Sequence, residues 1–511
     1  MNDLTPDDLA FIRATGRDPA ELTAQLAMLR GGWQSLRLGR PTTLDDGIVR
    51  LDEESVAQAR ERHRRAAAAG RISSFVPASG SGTRMFQSLL ALHREGASDL
   101  GQLRTEAAAG DATARDALVV LEHVREFAIW PALERRGVSA ASLRDVLDAL
   151  VGEGGLRCHE LPKGLIPYHR YGGDRVRTAF AEHLREAAML GMSAEGECRV
   201  HFTVSDAHRA MFEEAARREA AELERELGTR FEIRFSVQAP ETDAVGVDAE
   251  GQVLRDASGR IAFRPGGHGA LLVNLAEHAG DIVLIKNVDN IARQEFQERI
   301  ADARRLISGL LLLVEQEVHA RVRELRDGGD ARASLDLLER RFGIRPAGDA
   351  GTAALRDWAL TQLDRPLRVC GVVATQDHAG GRPFWVSTPG RGDTLQLVEG
   401  AEVNLERPEE RELFQQSRHF NPVDIACSLR DVDGRPFDLR RFVVAERALI
   451  ARKAVGGRMS TVYEHPGLWN GGMGLWNTVF VEVPGFTFNP VKSLADLWTP
   501  AHRGGEAGPA T

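Results

Sequence analysis

Apolar residues at Phe296, Ile300, Ile307, Leu311, Val314, Val318 and Val322 recur at three-to-four spacing, which predicts one amphipathic helix over 292–326. Shorter apolar runs read as strands: 199–204, 232–237, 281–289, 367–373, 383–386 and 478–483. A helical pattern over 206–227 separates the first two. From residue 156 onward this alternation predicts a sheet covered by helices. Residues 4–70 read as helical, with Thr5 capping a helix that has Pro6 at its first position. Clusters at Leu118–Leu121, Val124 and Phe127, and at Leu143, Val146, Leu147 and Leu150, predict packed helices up to about 152. The pattern divides the chain into a helical segment 1–72, an α/β domain 73–365 with helical insertions near 87–155 and 292–360, a second part 366–500, and a Gly/Ala/Pro-rich tail 501–511 expected to be disordered.

The strand-like run from Ser74 enters Gly80-Ser81-Gly82-Thr83-Arg84 and then a helical pattern. Gly80 and Gly82 can take positive φ, and a following helix start offers N–H groups and a dipole to an anion. Arg84 adds a permanent charge and a donor fork. The plainer reading is a turn that only joins strand to helix. The loop lacks the Gly-Lys-Ser/Thr ending of a P-loop and the third glycine of a dinucleotide fingerprint.

Four other segments place polar residues at tight turns or strand ends. Lys163 stands between Pro162 and Pro167 beside Gly164, where it projects from a stiff loop or is a surface lysine. In Pro265-Gly266-Gly267-His268-Gly269 a base or sugar could lie on bare backbone, or His268 could cap the next helix. Asp289, in Asn287-Val288-Asp289-Asn290, sits where open α/β sheets bind ligands and could hold Mg²⁺ alongside substrate phosphates; the alternative is an Asp-Asn turn. Trp469-Asn470 and Trp476-Asn477 flank a glycine turn, as a polyhydroxylated ligand or a packed aromatic hinge would require.

Composition narrows the partners. The 511 residues are 43% hydrophobic, enough for several layers of structure. A net charge of −9 speaks against broad nucleic-acid or anionic-membrane binding. The four cysteines form no Cys-x-x-Cys pair, no apolar run is long enough to span a bilayer, and the N-terminus carries no export pattern, so a cytoplasmic protein with reduced thiols is expected.

Together and in this order, the segments resemble the sugar nucleotidyltransferases, most closely the large UDP-sugar pyrophosphorylases, over about 73–498. The resemblance implies a Rossmann-like mixed sheet of the nucleotidyltransferase type, with 366–500 on the sugar side. It implies that Gly80, Ser81, Gly82 and Thr83 cradle nucleotide phosphates, that Arg84 and Lys163 hold a triphosphate, and that Asp289 holds Mg²⁺. Gln238 and Gly266–Gly269, with His268, would read a uracil. Asn290, Trp469, Asn470 and Asn477 would meet the sugar. In Phe488-Asn489-Pro490-Val491-Lys492, Lys492 would take the sugar phosphate. Lys163 comes unusually late, after a long helical insert. The whole chain is also similar to a bacterial family catalogued as a domain of unknown function, through the Val-Pro-Ala-Ser-Gly loop, Leu-Trp-Asn-Gly and Asn-Pro-Val-Lys.

The reaction implied is NTP, with UTP favoured, plus sugar 1-phosphate giving NDP-sugar and pyrophosphate. A glycosyltransferase using a ready-made nucleotide sugar is the second reading. It lacks a convincing Asp-x-Asp at a strand end, because Asp431-Val432-Asp433 runs into a glycine turn. A non-catalytic nucleotide-sugar binder is the third.

Overall fold

Five of the six residues of the strand Ile72–Pro77 are buried, as in the centre of a parallel sheet. It pairs in parallel with Glu197–Val204, where Phe75 faces His201 and Pro77 faces Thr203, and Arg230–Val237 follows as the next strand. The computed structural model describes residues 4–97, 99–172, 175–278, 280–346, 351–374, 380–455 and 458–504. These form two compact units that interleave along the sequence, whereas the sequence division is consecutive. The first comprises Arg65–Ser236, Lys286–Arg305 and Gly485–Thr511; the second comprises Met1–Arg64, Val237–Ile285 and Leu306–Pro484.

In the first unit the helix Ala179–Gly191 is buried along most of its length. Its Phe180 meets Phe202 at 4.8 Å and Phe212 at 5.9 Å between ring centroids, an aromatic cluster that anchors helix to sheet. Helices Gln87–Glu95, Leu100–Ala108, Ala112–Glu122 and Leu143–Val151 fill the insertion after the glycine loop, the last three N-capped by Asp99, Asp111 and Ser142.

The second unit carries a mixed sheet, so a mixed α/β fold is what the chain adopts. Leu367–Ala374, nearly all buried, runs parallel to Asn477–Glu482 and antiparallel to Ile425–Ser428. Ile48–Val49 extends one side in parallel, and Ile282–Ile285 the other side antiparallel. Arg382–Thr388 and Gly392–Val398 form a hairpin whose turn uses positive φ at Gly390 and Gly392.

Four expectations need correction. Residues 4–70 are not all helical: Arg40–Pro41 and Ile48–Val49 are strands, where Pro41, Gly47 (φ 97°) and two β-branched residues disfavour a helix. The strand expected over 281–289 stops at Ile285, because the Asn290 N–H turns back to the Asn287 carbonyl at 3.1 Å. The helix over 206–227 contains a π-turn at Ala216–Ala220. In the tail, Pro500–Arg503 form a short helix in which His502 Nδ1 lies 2.9 Å from His169 Nε2; residues 505–511 lie outside the described residues. The long helix is present over Gln294–Arg326. Among the described residues no helix is long and apolar enough to cross a membrane, and all four cysteines are buried with free thiols.

Candidate functional site

In the first unit, Asp289 follows the sheet on a turn fixed by the Val288 N–H, which donates to the Pro77 carbonyl at 3.4 Å. One oxygen of its buried carboxylate, Oδ2, accepts from both Lys163 Nζ at 3.0 Å and Lys492 Nζ at 2.9 Å. The Lys163 and Asp289 side chains are each 12% exposed, whereas that of Lys492 is 65% exposed and reaches in from solvent. Burial pushes the Asp289 carboxyl up, but the two ammonium groups outweigh it and hold it below the usual carboxylate range. Burial also lowers the Lys163 ammonium below the ordinary lysine value; Asp289 opposes that shift, and the charges of Lys492 and Arg84 add to it.

Backbone bonds bring these distant segments together. The Gly82 N–H donates to the Leu161 carbonyl at 2.8 Å, and the Lys163 N–H donates to the Gly80 carbonyl at 2.9 Å, so Ser81 pairs with Pro162. The Leu494 N–H donates to the Met85 carbonyl at 2.9 Å. Thr83 Oγ1 donates to the His159 carbonyl at 3.1 Å and lies 3.1 Å from Ser81 Oγ. Arg84 is exposed.

The glycines act differently from the expectation. Neither Gly80 nor Gly82 has positive φ. A Cβ at Gly82 would stand 2.9 Å from Ile166 Cδ1 and 3.1 Å from the Leu161 oxygen, so glycine is required there by close approach; a Cβ at Gly80 would meet nothing within 4 Å. The helix begins only at Gln87, and the N–H groups of Met85 and Phe86 already donate to the Gly82 carbonyl. The space beside Gly80 is therefore open, whereas the first N–H groups before the helix are already bonded within the loop.

Three residues to which the sequence reading gave no role lie around this corner. Asp496 Oδ2 accepts the N–H groups of Lys492 at 2.7 Å and Ser493 at 2.8 Å and so sets the lysine's loop; a Ser-x-x-Asp capping box is its signal in the sequence. His183 Nε2 donates to the Val288 carbonyl at 3.0 Å from the buried helix Ala179–Gly191. The Tyr168 hydroxyl is buried and has no hydrogen-bond partner among the described residues. Its pKa is raised well above the ordinary value, by burial first and then by the charges of Asp289 and Asp496. No sequence pattern marks either His183 or Tyr168.

In the second unit, the Gly266–Gly269 turn is packed against its own chain. A Cβ at Gly266 would lie 2.5 Å from the Thr242 oxygen, Gly269 abuts the Pro466 carbonyl, and Gly267 alone has positive φ, 76°. A Cβ at Gly267 would lie 2.8 Å from Glu464 Oε2, so the space beside all three glycines of the turn is filled. His268 does not cap a helix. Its Nδ1 accepts the Leu468 N–H at 3.0 Å, which leaves the proton on Nε2, and its ring stacks on Trp469 with centroids 4.2 Å apart. Burial lowers its pKa, against the opposing pull of Glu399 and Glu464. Trp469 Nε1 donates to Glu399 Oε1 at 3.0 Å. Asn470 is fully buried beside it, and neither of its amide atoms has a partner among the described residues. Gln238 Nε2 donates to Asp243 Oδ1 at 3.1 Å.

The two other amides expected at the sugar differ: Asn477 is bonded at both ends of its amide, whereas Asn290 is bonded at Oδ1 and its Nδ2 has no partner among the described residues. Asn477 is fully buried: its Oδ1 accepts from Arg391 Nη2 at 2.8 Å, and its Nδ2 donates to the Gln362 carbonyl at 2.9 Å, so neither end is available to a ligand. Asn290 is also buried, and its Oδ1 accepts the Asn489 N–H at 2.9 Å, which positions the loop leading to Lys492.

The metal expectation can be tested on the donor set. No group of three or more His, Cys, Asp and Glu side chains able to hold an ion occurs among the described residues. Asp289 offers a single carboxylate, and one of its oxygens is shared by two lysines. That set fits Mg²⁺ only where phosphates supply most of its ligands.

No curated protein matches this chain in sequence. Among solved structures it is similar to the uridine diphosphate N-acetylglucosamine pyrophosphorylase from Trypanosoma brucei, with 15% identity, TM-score 0.48, and coverage of 96% of this chain and 80% of that one. It is similar to a UDP-glucose pyrophosphorylase mutant from Leishmania major in complex with UDP-glucose at 13% identity and TM-score 0.45, covering 97% and 78%. It is also similar to a putative UDP-N-acetylglucosamine pyrophosphorylase from Entamoeba histolytica at 12% identity and TM-score 0.42, covering 90% and 82%. The family described as Domain of unknown function (DUF4301) matches residues 5–503, and the chain belongs to that family.

Proposed function

We propose that the protein is a nucleotidyltransferase that joins an NTP, with UTP favoured, to a sugar 1-phosphate and releases pyrophosphate. The observation that carries this reading is the convergence of Lys163 and Lys492 on one oxygen of Asp289, beside the open face of Gly80 and near Arg84. Two ammonium groups on that carboxylate, with the Arg84 charge acting on Lys163, make a corner suited to more than one phosphate group. An oxygen of the sugar phosphate attacks the α-phosphorus and forms a new P–O bond, while the α–β P–O bond breaks and pyrophosphate leaves with the electron pair. The nucleophile is already an anion, so no general base is needed; positioning and charge neutralisation do the chemistry.

In this reading Lys163, buried and stiffly held, grips the triphosphate with Arg84. Lys492, more exposed, brings in the second phosphate. Asp289 holds the two ammonium groups in place before substrate arrives and would hold Mg²⁺ together with the phosphates, where the ion would neutralise developing charge. By the resemblance, Trp469 and Asn470 would face the sugar. The glycosyltransferase reading is weakened by Asp431–Asp433, a surface turn in which Asp433 pairs with Arg326 at 2.9 Å.

A pyrophosphate-release screen of the four NTPs against a panel of sugar 1-phosphates tests the proposal. Release with a particular pair supports it. Transfer from a nucleotide sugar without pyrophosphate would establish the second reading, and binding of a nucleotide sugar with no turnover the third.

A further inference from the structure

Gln238 ends the strand Arg230–Val237, and its carboxamide is not free to choose which end it presents. Its Nε2 donates to Asp243 Oδ1 at 3.1 Å, and an ionised carboxylate can only accept, so the amide nitrogen must face Asp243 and the carbonyl Oε1 must face away. Asp243 is itself fixed from the N-terminal segment: the guanidinium of Arg17, nearly buried, lies 3.4 Å from Asp243 Oδ2 and donates to the Pro240 carbonyl. The arrangement adjoins the glycine turn. The Ala244 N–H donates to the Arg264 carbonyl at 2.7 Å, and His465 Nε2 donates to the Thr242 carbonyl at 2.8 Å, behind Gly266. Asn274 Nδ2 donates to the Val237 carbonyl at 2.9 Å and holds the strand end. No described residue donates to Gln238 Oε1.

We infer that Asp243, steadied by Arg17, is a positioning residue that locks the Gln238 carboxamide with its oxygen toward the ligand, and so makes the site select a base whose Watson–Crick edge offers an N–H there. Uracil presents N3–H at that position, whereas cytosine presents a bare N3 acceptor that would confront Oε1. The inference rests on the nucleotidyltransferase reading and on Gln238 meeting the base. It assigns the choice between these two pyrimidines to a hydrogen-bond direction set outside the base pocket. A free amide could rotate and accept either base; a locked one leaves cytosine with two acceptors opposed.

The test measures kcat/KM and calorimetric affinity for UTP, CTP and N3-methyl-UTP with the full-length protein and with Asp243→Asn, at about pH 8 so that Asp243 is ionised. The wild type is expected to prefer UTP over CTP by about tenfold or more and to reject N3-methyl-UTP to a similar degree. In Asp243→Asn the neighbouring amide can offer either a donor or an acceptor, so the UTP-to-CTP ratio is expected to collapse toward one, largely by a gain for CTP. An unchanged ratio in a folded variant overturns the inference and leaves nucleotidyl transfer standing. Should Asp243→Asn fail to fold, the wild-type comparison still decides: N3-methyl-UTP bound as well as UTP overturns the inference, and its rejection supports it. No binding of any nucleotide overturns the transferase reading itself, and with it this inference.

Discussion

Lys163 and Lys492 donate to the same oxygen of Asp289, one from a nearly buried side chain and the other from an exposed one. Two ammonium groups on one carboxylate oxygen leave positive charge unbalanced, and phosphate oxygens can take up either lysine by exchanging one charge-assisted bond for another. In the proposed reaction this difference in burial would separate their roles.

Lys492→Ala should leave NTP affinity nearly unchanged yet reduce pyrophosphate release by about tenfold to a hundredfold, the equivalent of one charge-assisted contact at about 1.5–3 kcal/mol. Lys163→Ala should weaken both. Titration calorimetry and a coupled pyrophosphate assay read the two effects separately, and equal losses for the two variants would refute the division of labour.

Asp289→Ala should remove the Mg²⁺ dependence of NTP binding together with turnover. It should also destabilise the fold less than removal of one member of a fully buried ion pair, about 3–5 kcal/mol, because Lys163 can release its proton once its counter-ion is gone. Calorimetry with and without Mg²⁺, and denaturant unfolding, check the two parts.

Binding of inorganic pyrophosphate should weaken as pH rises, starting below the ordinary lysine range, because the Lys163 ammonium is lowered by its burial. The sign for stability is opposite. Over the window between the lowered folded value and the unfolded one near 10.5, the unfolded state holds the proton more tightly, so this group makes stability rise with pH. Lys163→Arg should move the loss of pyrophosphate binding to higher pH; an identical pH profile in that variant would count against Lys163 as the contact.

His183 is buried and its pKa is pushed down to about 4, chiefly by burial. Between about pH 6.5 and 4 the unfolded chain takes up a proton that the folded chain refuses, so stability should fall with acidification over that window, by up to about 3 kcal/mol from this residue. His201 and His502 act in the same direction. His183→Gln should reduce the slope of stability against pH by about one proton, measured by denaturant titrations across the window.

Gly82→Ala should destabilise the loop by about 1–3 kcal/mol, since its Cβ would press on Ile166 and the Leu161 carbonyl. Gly80→Ala should change stability by no more than about 0.5 kcal/mol, because nothing stands within 4 Å of the added carbon. If phosphate lies against Gly80, that variant keeps its melting temperature and loses nucleotide affinity; unchanged affinity would move the phosphate away from this loop.

The sequence by itself determined the mixed α/β fold and most of its elements, because residues such as Leu367–Val373 and Phe296–Val322 carry their periodicity locally and need no partner to be read. It also marked Lys163, Asp289 and Lys492, since prolines, glycines and strand ends limit where such side chains can stand. Only the tertiary structure decided their meeting, which depends on hydrogen bonds between segments far apart in the chain, such as the Gly82 N–H to the Leu161 carbonyl and the Asn489 N–H to Asn290 Oδ1. The same holds for the amides. Asn470 and Asn477 look alike in sequence, yet packing leaves the first without a described partner and gives the second Arg391 and the Gln362 carbonyl. Whether a polar side chain serves the fold or a ligand follows from what surrounds it in space, and periodicity along the chain carries no information about that.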